Sequence, residues 1–392
     1  MSTARPEPRV AIACPGTGLV QRGFERFFGD LFRVLEPDMD VTLFKGGGTA
    51  SERERVLRFV HRNSPIPRLV PIHRLFGRTP MHAECLTFAL AWLPHIVGGG
   101  FDVLHVIDPP LARFMFGVRR VLGLSFRLLF TEGTSMPPSD YPPADHMHHT
   151  SLQAHDAALR YGYPAEYLTA MPCGIDSTRF TTKSSRAELR AQYGVRPETF
   201  VILCVAALNR GHKRVDHVVE EVARLQGDVL LWLDGSLDHG EPALIDLAKR
   251  RLGDRCRVTC VASDRVGDLY GLADIKVLAS VREAFGLSPL EASAAGLPVL
   301  THDSPHFHWL FPHPEDHVDM TRVGALSDRL GHLMRCPEEL ASLGRGAETR
   351  QRFDWSSVAP GYAELYRRVA ALPISSHNPA PDARQKREQR VA

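Results

Sequence analysis

Two carboxylates, Glu283 and Glu291, are separated by seven residues in the stretch SVREAFGLSPLEASAAGLPVL, residues 280–300. Between them Phe285-Gly286-Leu287 reads as a turn. Ser288-Pro289-Leu290-Glu291 then reads as a helix start, with Ser288 as N-cap, Pro289 at N1 and Glu291 at N3. The N–H groups of a first helical turn have no intrahelical partner and attract anions. Carboxylates beside them accept hydrogen bonds from hydroxyls. The pattern therefore suits a ligand that carries hydroxyls and a phosphate together, as a sugar nucleotide does. Two plainer readings stay open. Glu291 fits a capping box, bonding back to the N-cap N–H, and Glu283 fits a solvated loop carboxylate.

Elements that would position these residues recur along the chain. Strand candidates are VAIAC (10–14), VTLF (41–44), DVLHVI (102–107) and RLLFT (127–131), then FVILCVAAL (200–208), VLLWLD (229–234), RVTCV (257–261), IKVLAS (275–280) and PVLTH (298–302). Several are apolar on consecutive residues, as parallel strands covered on both faces are. Helical patterns fall between them at 22–35, 214–225, 242–251 and 289–295, the last ending at Gly296 before Pro298. This alternation predicts doubly wound α/β sheets. A polar, turn-rich stretch at 181–197 predicts two Rossmann-like domains joined there. The expected division is 1–183, 184–355, a terminal amphipathic helix 356–374 packing back toward the N-terminal domain, and a disordered tail 375–392.

Bulk properties narrow the classes. A chain of 392 residues that is 44% hydrophobic can bury large cores. A net charge of +2 gives no case for nucleic acid as a partner. The seven cysteines form no C-x-x-C pair, so free thiols in a reducing cytosol are expected. The polar start MSTARPEPRV does not read as a secretory leader, and no apolar run is long enough to span a bilayer. The expected location is cytoplasmic. Arginine greatly outnumbers lysine, which suggests a GC-rich bacterial genome.

Other residues invite a chemical reading. Gly16 and Gly18 follow the first strand, where bare backbone can approach a phosphate or sugar; a plain tight turn explains them equally. Gln21 rules out the dinucleotide fingerprint G-x-G-x-x-G. His105, Asp108 and Glu132 lie at or near strand ends, where α/β sheets bind ligands, and are acceptor-side candidates; a core histidine is the plainer reading of His105. His146, His148, His149 and His155 cluster without an evident metal framework. Residues 51–80 carry seven arginines beside an apolar stripe of Val56, Phe59 and Val60. This region reads as a solvated helix packed on its own domain, or as a docking face for anionic lipid at the inner membrane surface.

Several segments together resemble glycosyltransferase family 4, the retaining sugar-nucleotide transferases of GT-B fold. Glu283, Phe285, Gly286 and Glu291 match its E-x-F-G-x-x-x-x-E element. YGLADIKVLAS (270–280) resembles its lead-in, MPCGIDSTRF (171–180) its interdomain segment, ALNRGHKRVDHVVEEVARL (207–225) its first strand-to-helix turn in the C-terminal domain, and FDWSSVAPGYAELY (353–366) its final helix. The match is strong over most of the C-terminal half and weak over the N-terminal half. It implies a GT-B fold of two Rossmann-like domains facing across a cleft. It also implies Lys213 on the donor diphosphate, Glu283 on the sugar hydroxyls, Glu291 on the ribose, the N–H groups of Phe285, Gly286 and Leu287 on sugar and phosphate, and the Gly16–Gly18 loop closing over the donor. Lys213 and Glu283 would be the catalytic pair. The family's strand-end arginine is replaced by Ala207, and Arg210 is the candidate substitute in a turn one residue longer. The family's second histidine of an H-x-H pair is Ile107 here.

The resemblance further implies transfer from a nucleoside diphosphate sugar, base unknown, to a hydroxyl of a cell-surface glycan, a glycolipid or a small natural product. No Asp-x-Asp falls at a plausible donor position, so no metal and no separate cofactor are expected. A GT-B phosphorylase, a nucleotide-sugar epimerase and a non-catalytic nucleotide-sugar-binding protein are the alternatives. The sequence does not specify an oligomeric state.

Overall fold

A computed structural model describes residues 7–20, 23–64, 79–236 and 242–374. The chain divides into two compact units, Met1–Gly174 with Trp355–Ala392, and Ile175–Asp354.

The first unit is built on seven parallel strands. They are β1 (Val10–Cys14), β2 (Val41–Lys45), β3 (Glu54–Val56), β4 (Val103–Val106), β5 (Arg127–Glu132), β6 (His146–His149) and β7 (Leu168–Ala170), in the order β3-β2-β1-β4-β5-β6-β7. The order reverses between β1 and β4, the place where open α/β sheets bind ligands at their carboxyl ends. Aromatic and aliphatic side chains from the helices Pro80–Gly99 and Pro109–Leu122 fill one face, among them Phe88, Trp92 and Met115. On the other face the helices Gly23–Leu35 and Trp355–Ala371 pack together, with Phe27 stacked on Trp355 at 6.0 Å. The terminal helix is thus part of the first unit's core.

The second unit has six parallel strands, β8 (Phe200–Val205), β9 (Val229–Asp234), β10 (Cys256–Thr259), β11 (Ile275–Val277), β12 (Val299–His302) and β13 (His317–Val318), in the order β10-β9-β8-β11-β12-β13. β8 and β11 are central; β8 is apolar throughout, as burial on both faces requires, and β11 is apolar but for Lys276. Here the order reverses between β8 and β11.

Three details differ from the sequence reading. The polar stretch 181–197 holds a helix of the second unit, Arg186–Gln192, opened by a Ser185/Glu188 capping box and tied down by Arg190 to Asp274 at 2.7 Å. The unit boundary falls earlier, where Ile175 pairs with Asp354. Residues 51–64 form an edge strand and irregular backbone instead of a helix. Arg53 there donates to the carbonyls of Glu36 and Met39, and Phe59 packs on Phe88. Arg68, Arg74, Arg78 and the tail 375–392 lie outside the described residues, as does the first residue of the expected helix 22–35. Among the described residues no helix is long and apolar enough to cross a membrane.

Candidate functional site

In the second unit, two loops leave the carboxyl ends of β8 and β11, the strands between which the order reverses. The loop after β8 carries Asn209, Arg210, His212 and Lys213. The Asn209 side chain accepts from the Lys213 N–H at 3.2 Å, and its carbonyl accepts from Val215 N at 3.1 Å. Arg214 takes a left-handed conformation, φ 48°, as N-cap of the helix Val215–Ala223, and donates to the Met320 carbonyl at 2.7 Å. These bonds fix the base from which Lys213 projects.

Lys213 Nζ reaches Glu283 Oε2, in the loop after β11, at 2.6 Å. Both side chains are largely covered, with 17% and 10% exposure, so solvent screens the pair only weakly. Burial pushes the Glu283 carboxyl up, but Lys213, the nearby Ser280 hydroxyl and His212 more than offset it. The carboxyl therefore sits below its ordinary value and is ionised at neutral pH.

Beyond Glu283, Gly286 adopts φ 100° and is the N-cap of the helix Leu287–Ala294. A side chain there would be strained in a left-handed conformation. The helix thus begins one residue before the expected N-cap, which removes the capping-box reading. Ser288 lies inside the helix and donates to the Val205 carbonyl at 2.8 Å. Glu291 is buried in the helix and accepts from the Tyr270 hydroxyl at 3.2 Å. Phe285 is buried, and its carbonyl accepts from His306 Nε2 at 2.8 Å. The first-turn N–H groups at Leu287 and Ser288 have no intrahelical acceptor to use. Arg210 is exposed in the β8 loop. Lys213, Glu283, Phe285, Gly286, Leu287 and Glu291 are therefore gathered at one end of one sheet.

Sequence reading passed over a further cation in this site. Lys276, in the middle of β11, is fully buried and donates to the same Val205 carbonyl at 3.0 Å. Its signal was a lysine inside an otherwise apolar strand, IKVLAS.

The first unit's candidates fare differently. Gly18, at φ 80°, packs so closely on the next loop that an added Cβ would meet the Gly47 carbonyl oxygen at 2.2 Å. At Gly16 a Cβ would meet the Glu25 carboxylate at 2.5 Å. Backbone packing therefore accounts for Gly18 without a ligand, and at Gly16 the neighbouring Glu25 disfavours an anion. His105 is a core histidine. Its Nδ1 meets the Tyr366 hydroxyl at 2.8 Å and its Nε2 the Thr131 hydroxyl at 2.6 Å, so it is enclosed and cannot face an acceptor. Burial holds it neutral, well below the ordinary histidine value.

Asp108 precedes the helix Pro109–Leu122, and burial raises its pKa to about 6. Arg62, 3.8 Å away, opposes that rise, while Glu84 and Glu25 add to it. Arg62 is itself engaged by the fully buried Glu84 at 2.7 Å, a pairing 22 residues apart that sequence reading missed. Glu132 is buried and accepts from Thr134 N and Met136 N at 2.8 and 3.0 Å, which ties down the loop after β5. Burial raises its pKa.

His146 bonds Thr169 at 2.7 Å, and His148 bonds Thr131 and the Met171 carbonyl at 2.9 Å each. His149 is held neutral by burial, with a pKa of about 3. These are core contacts. Among the described residues the group whose metal-ligating atoms do lie close together is His332, Cys336 and Glu339. Its Glu339 is already taken by His332, at 2.6 Å, and by Arg329.

Residues 185–350, within the second unit, match the family model Glycosyl transferases group 1. A D-inositol 3-phosphate glycosyltransferase of Catenulispora acidiphila is 29% identical over 237 residues, 56% of this chain and 55% of that protein. An MMP alpha-(1->4)-mannosyltransferase of Mycolicibacterium hassiacum is 27% identical over 231 residues, 57% of this chain and 53% of that protein. The chain spans about half the length of the curated relatives it matches. Among solved structures, sucrose-phosphate synthase from Thermosynechococcus elongatus superposes with TM-score 0.79 at 19% identity, covering 93% of this chain and all (100%) of that one. HepE of Anabaena, solved in complex with UDP-glucose, gives TM-score 0.72 at 16% identity over 92% of this chain and 100% of its own. The fold is that of the GT-B glycosyltransferases: two Rossmann-like domains, each on a parallel sheet.

Proposed function

We propose that the chain is a retaining glycosyltransferase of family 4 that moves a sugar from a nucleoside diphosphate sugar to an acceptor hydroxyl. The observation that carries this reading is the Lys213–Glu283 pair at 2.6 Å beside the helix start at Gly286. It joins an ammonium, an ionised carboxylate and bare N–H groups in one place. The glycosyl transferase match over 185–350 and the sugar-transferring relatives support it.

In this reading the donor diphosphate lies against the first turn of Leu287–Ala294, and Lys213 turns from Glu283 toward it. Glu283, ionised, holds donor sugar hydroxyls, and Glu291 the ribose. The C1–O bond to the diphosphate breaks while a C1–O bond to the acceptor forms on the same face. The acceptor proton passes to the departing phosphate oxygen. Lys213, the N–H groups and Arg210 stabilise the charge that grows there. No side-chain base and no metal ion enter this scheme.

The acceptor is assigned to the first unit, with Asp108 and Glu132 as its candidate contacts near the carboxyl ends of β4 and β5. It is a cell-surface glycan, a glycolipid or a small natural product. The protein is assigned to the bacterial cytoplasm, with a peripheral membrane contact through residues 51–80. UDP and ADP, held by structural neighbours, head the donor screen.

Thermal shift against UDP, GDP, ADP and dTDP, then their sugars, tests donor binding. Transfer with each active donor follows, with the product anomer read by NMR. Retained configuration supports the proposal, and an inverted anomer contradicts it. Phosphate-dependent cleavage of a glycoside would instead indicate a phosphorylase, sugar interconversion without an acceptor an epimerase, and binding without turnover a non-catalytic protein.

A further inference from the structure

Lys276 sits in the middle of β11, between β8 and β12. Its neighbours Ile275 and Val277 are fully buried, and so is Lys276. An ammonium in such a place is costly unless something holds it. Among the described residues its three donors make one hydrogen bond, to the Val205 carbonyl. That carbonyl ends β8 and also accepts from Ser288, in the first turn of Leu287–Ala294. The Lys276 ammonium therefore lies at the carboxyl edge of the sheet, beside the helix start assigned to the diphosphate.

The charged and titratable groups acting on it come from β8, β9, the helix Leu287–Ala294 and the two loops, and none from β12. They are Cys204 in β8, Lys213 in the loop after it, Glu291 in the helix, Glu283 in the loop after β11, and Asp234 at the end of β9. Packing alone would be served by a methionine or leucine here. The turn after β8 brings no cation at Ala206 or Ala207.

We propose that Lys276 is a buried positioning residue of the donor site, which strengthens binding of a nucleoside diphosphate by its charge from behind the sheet edge without touching it. This inference rests on the donor-site reading above. Burial, opposed by Cys204, Glu291 and Glu283 and helped by Lys213, leaves the Lys276 pKa lowered to about 8. An arriving diphosphate adds negative charge and favours the protonated form. Binding near pH 8 must then take up protons at Lys276, and below pH 7, where Lys276 is already charged, that contribution vanishes.

Calorimetric titration of the full chain with the best-bound of UDP, GDP, ADP and dTDP tests this. Measured at pH 8 in buffers of different ionisation enthalpy, wild type should take up as much as about half a proton. The difference in uptake between wild type and Lys276→Arg should fall toward zero at pH 6.5, where the ligand's own terminal phosphate titrates alike in both. Lys276→Met should abolish the uptake at pH 8 and weaken binding several-fold at pH 7. Lys276→Arg, charged throughout, should keep the affinity and lose the uptake. Should the methionine variant fail to fold, the wild-type pH profile and the arginine variant still decide. Uptake absent from wild type at pH 8, or unchanged in the variants, would overturn the role of Lys276 alone. Failure of wild type to bind any nucleoside diphosphate would instead overturn the donor-site reading.

Discussion

Lys213 and Glu283 are 70 residues apart in sequence and 2.6 Å apart in space, each brought there by a loop at the point where the strand order of its sheet reverses. The contact links strand order to chemistry. β8 and β11 are sheet neighbours only because the chain between them crosses over, so the two loops open side by side. The pair therefore depends on the whole second unit being folded.

The pair also contributes to stability. Both side chains are mostly covered, so Lys213→Ala leaves a carboxylate without its cation. The expected cost is about 3 kcal/mol. Lys213→Ala with Glu283→Gln should recover part of that loss, which a double-mutant cycle by chemical denaturation measures. Strict additivity would show that the pair does not couple.

Gly286 takes φ 100°, a conformation an L side chain adopts only with strain. Gly286→Ala should destabilise the protein by about 1–2 kcal/mol. It should also weaken nucleoside diphosphate binding, since the helix start it caps is displaced. Melting curves with and without ligand separate the two effects. Unchanged stability and affinity would mean the turn adapts freely.

Gly18 is held by packing in the first unit, where a Cβ would meet the Gly47 carbonyl oxygen. Gly18→Ala should lower stability by about 2 kcal/mol or more even without ligand. A glycine needed only for ligand approach would leave the apo protein unaffected, so the apo melting temperature discriminates.

Asp108 carries a pH signature. Its folded pKa, about 6, is raised from an ordinary 3.8 by burial. For a raised acid, the stabilising contribution is full below pH 3.8 and is lost as pH rises through 6. Asp108→Asn should therefore stabilise the protein by about 1–3 kcal/mol at pH 7 and by nearly nothing at pH 3.5. Equal effects at both pH values would refute the assignment.

Much of this site was legible in the sequence because its markers are local. Glu283, Gly286 and Glu291 sit in one short stretch, and the β-α alternation that positions Lys213 shows in the apolar runs. The exact helix start did not show, because a glycine in a left-handed conformation and a serine followed by proline both signal an N-cap. Contacts distant in sequence were not legible at all. His105 reads as a core residue in the sequence, but its bond to Tyr366, 261 residues away, does not show there. The fate of Arg62 is decided by Glu84 on another element. Lys276 was overlooked because an apolar strand draws attention to its period and away from its exception.

The central claim is that Lys213 and Glu283 serve sugar transfer. The most direct measurement is kcat at saturating donor for wild type, Lys213→Ala and Glu283→Ala, each with folding checked by circular dichroism. A loss of about 100-fold or more in each folded variant is predicted, as expected for removal of a group that stabilises the transition state. Near-normal kcat in both variants would contradict the account.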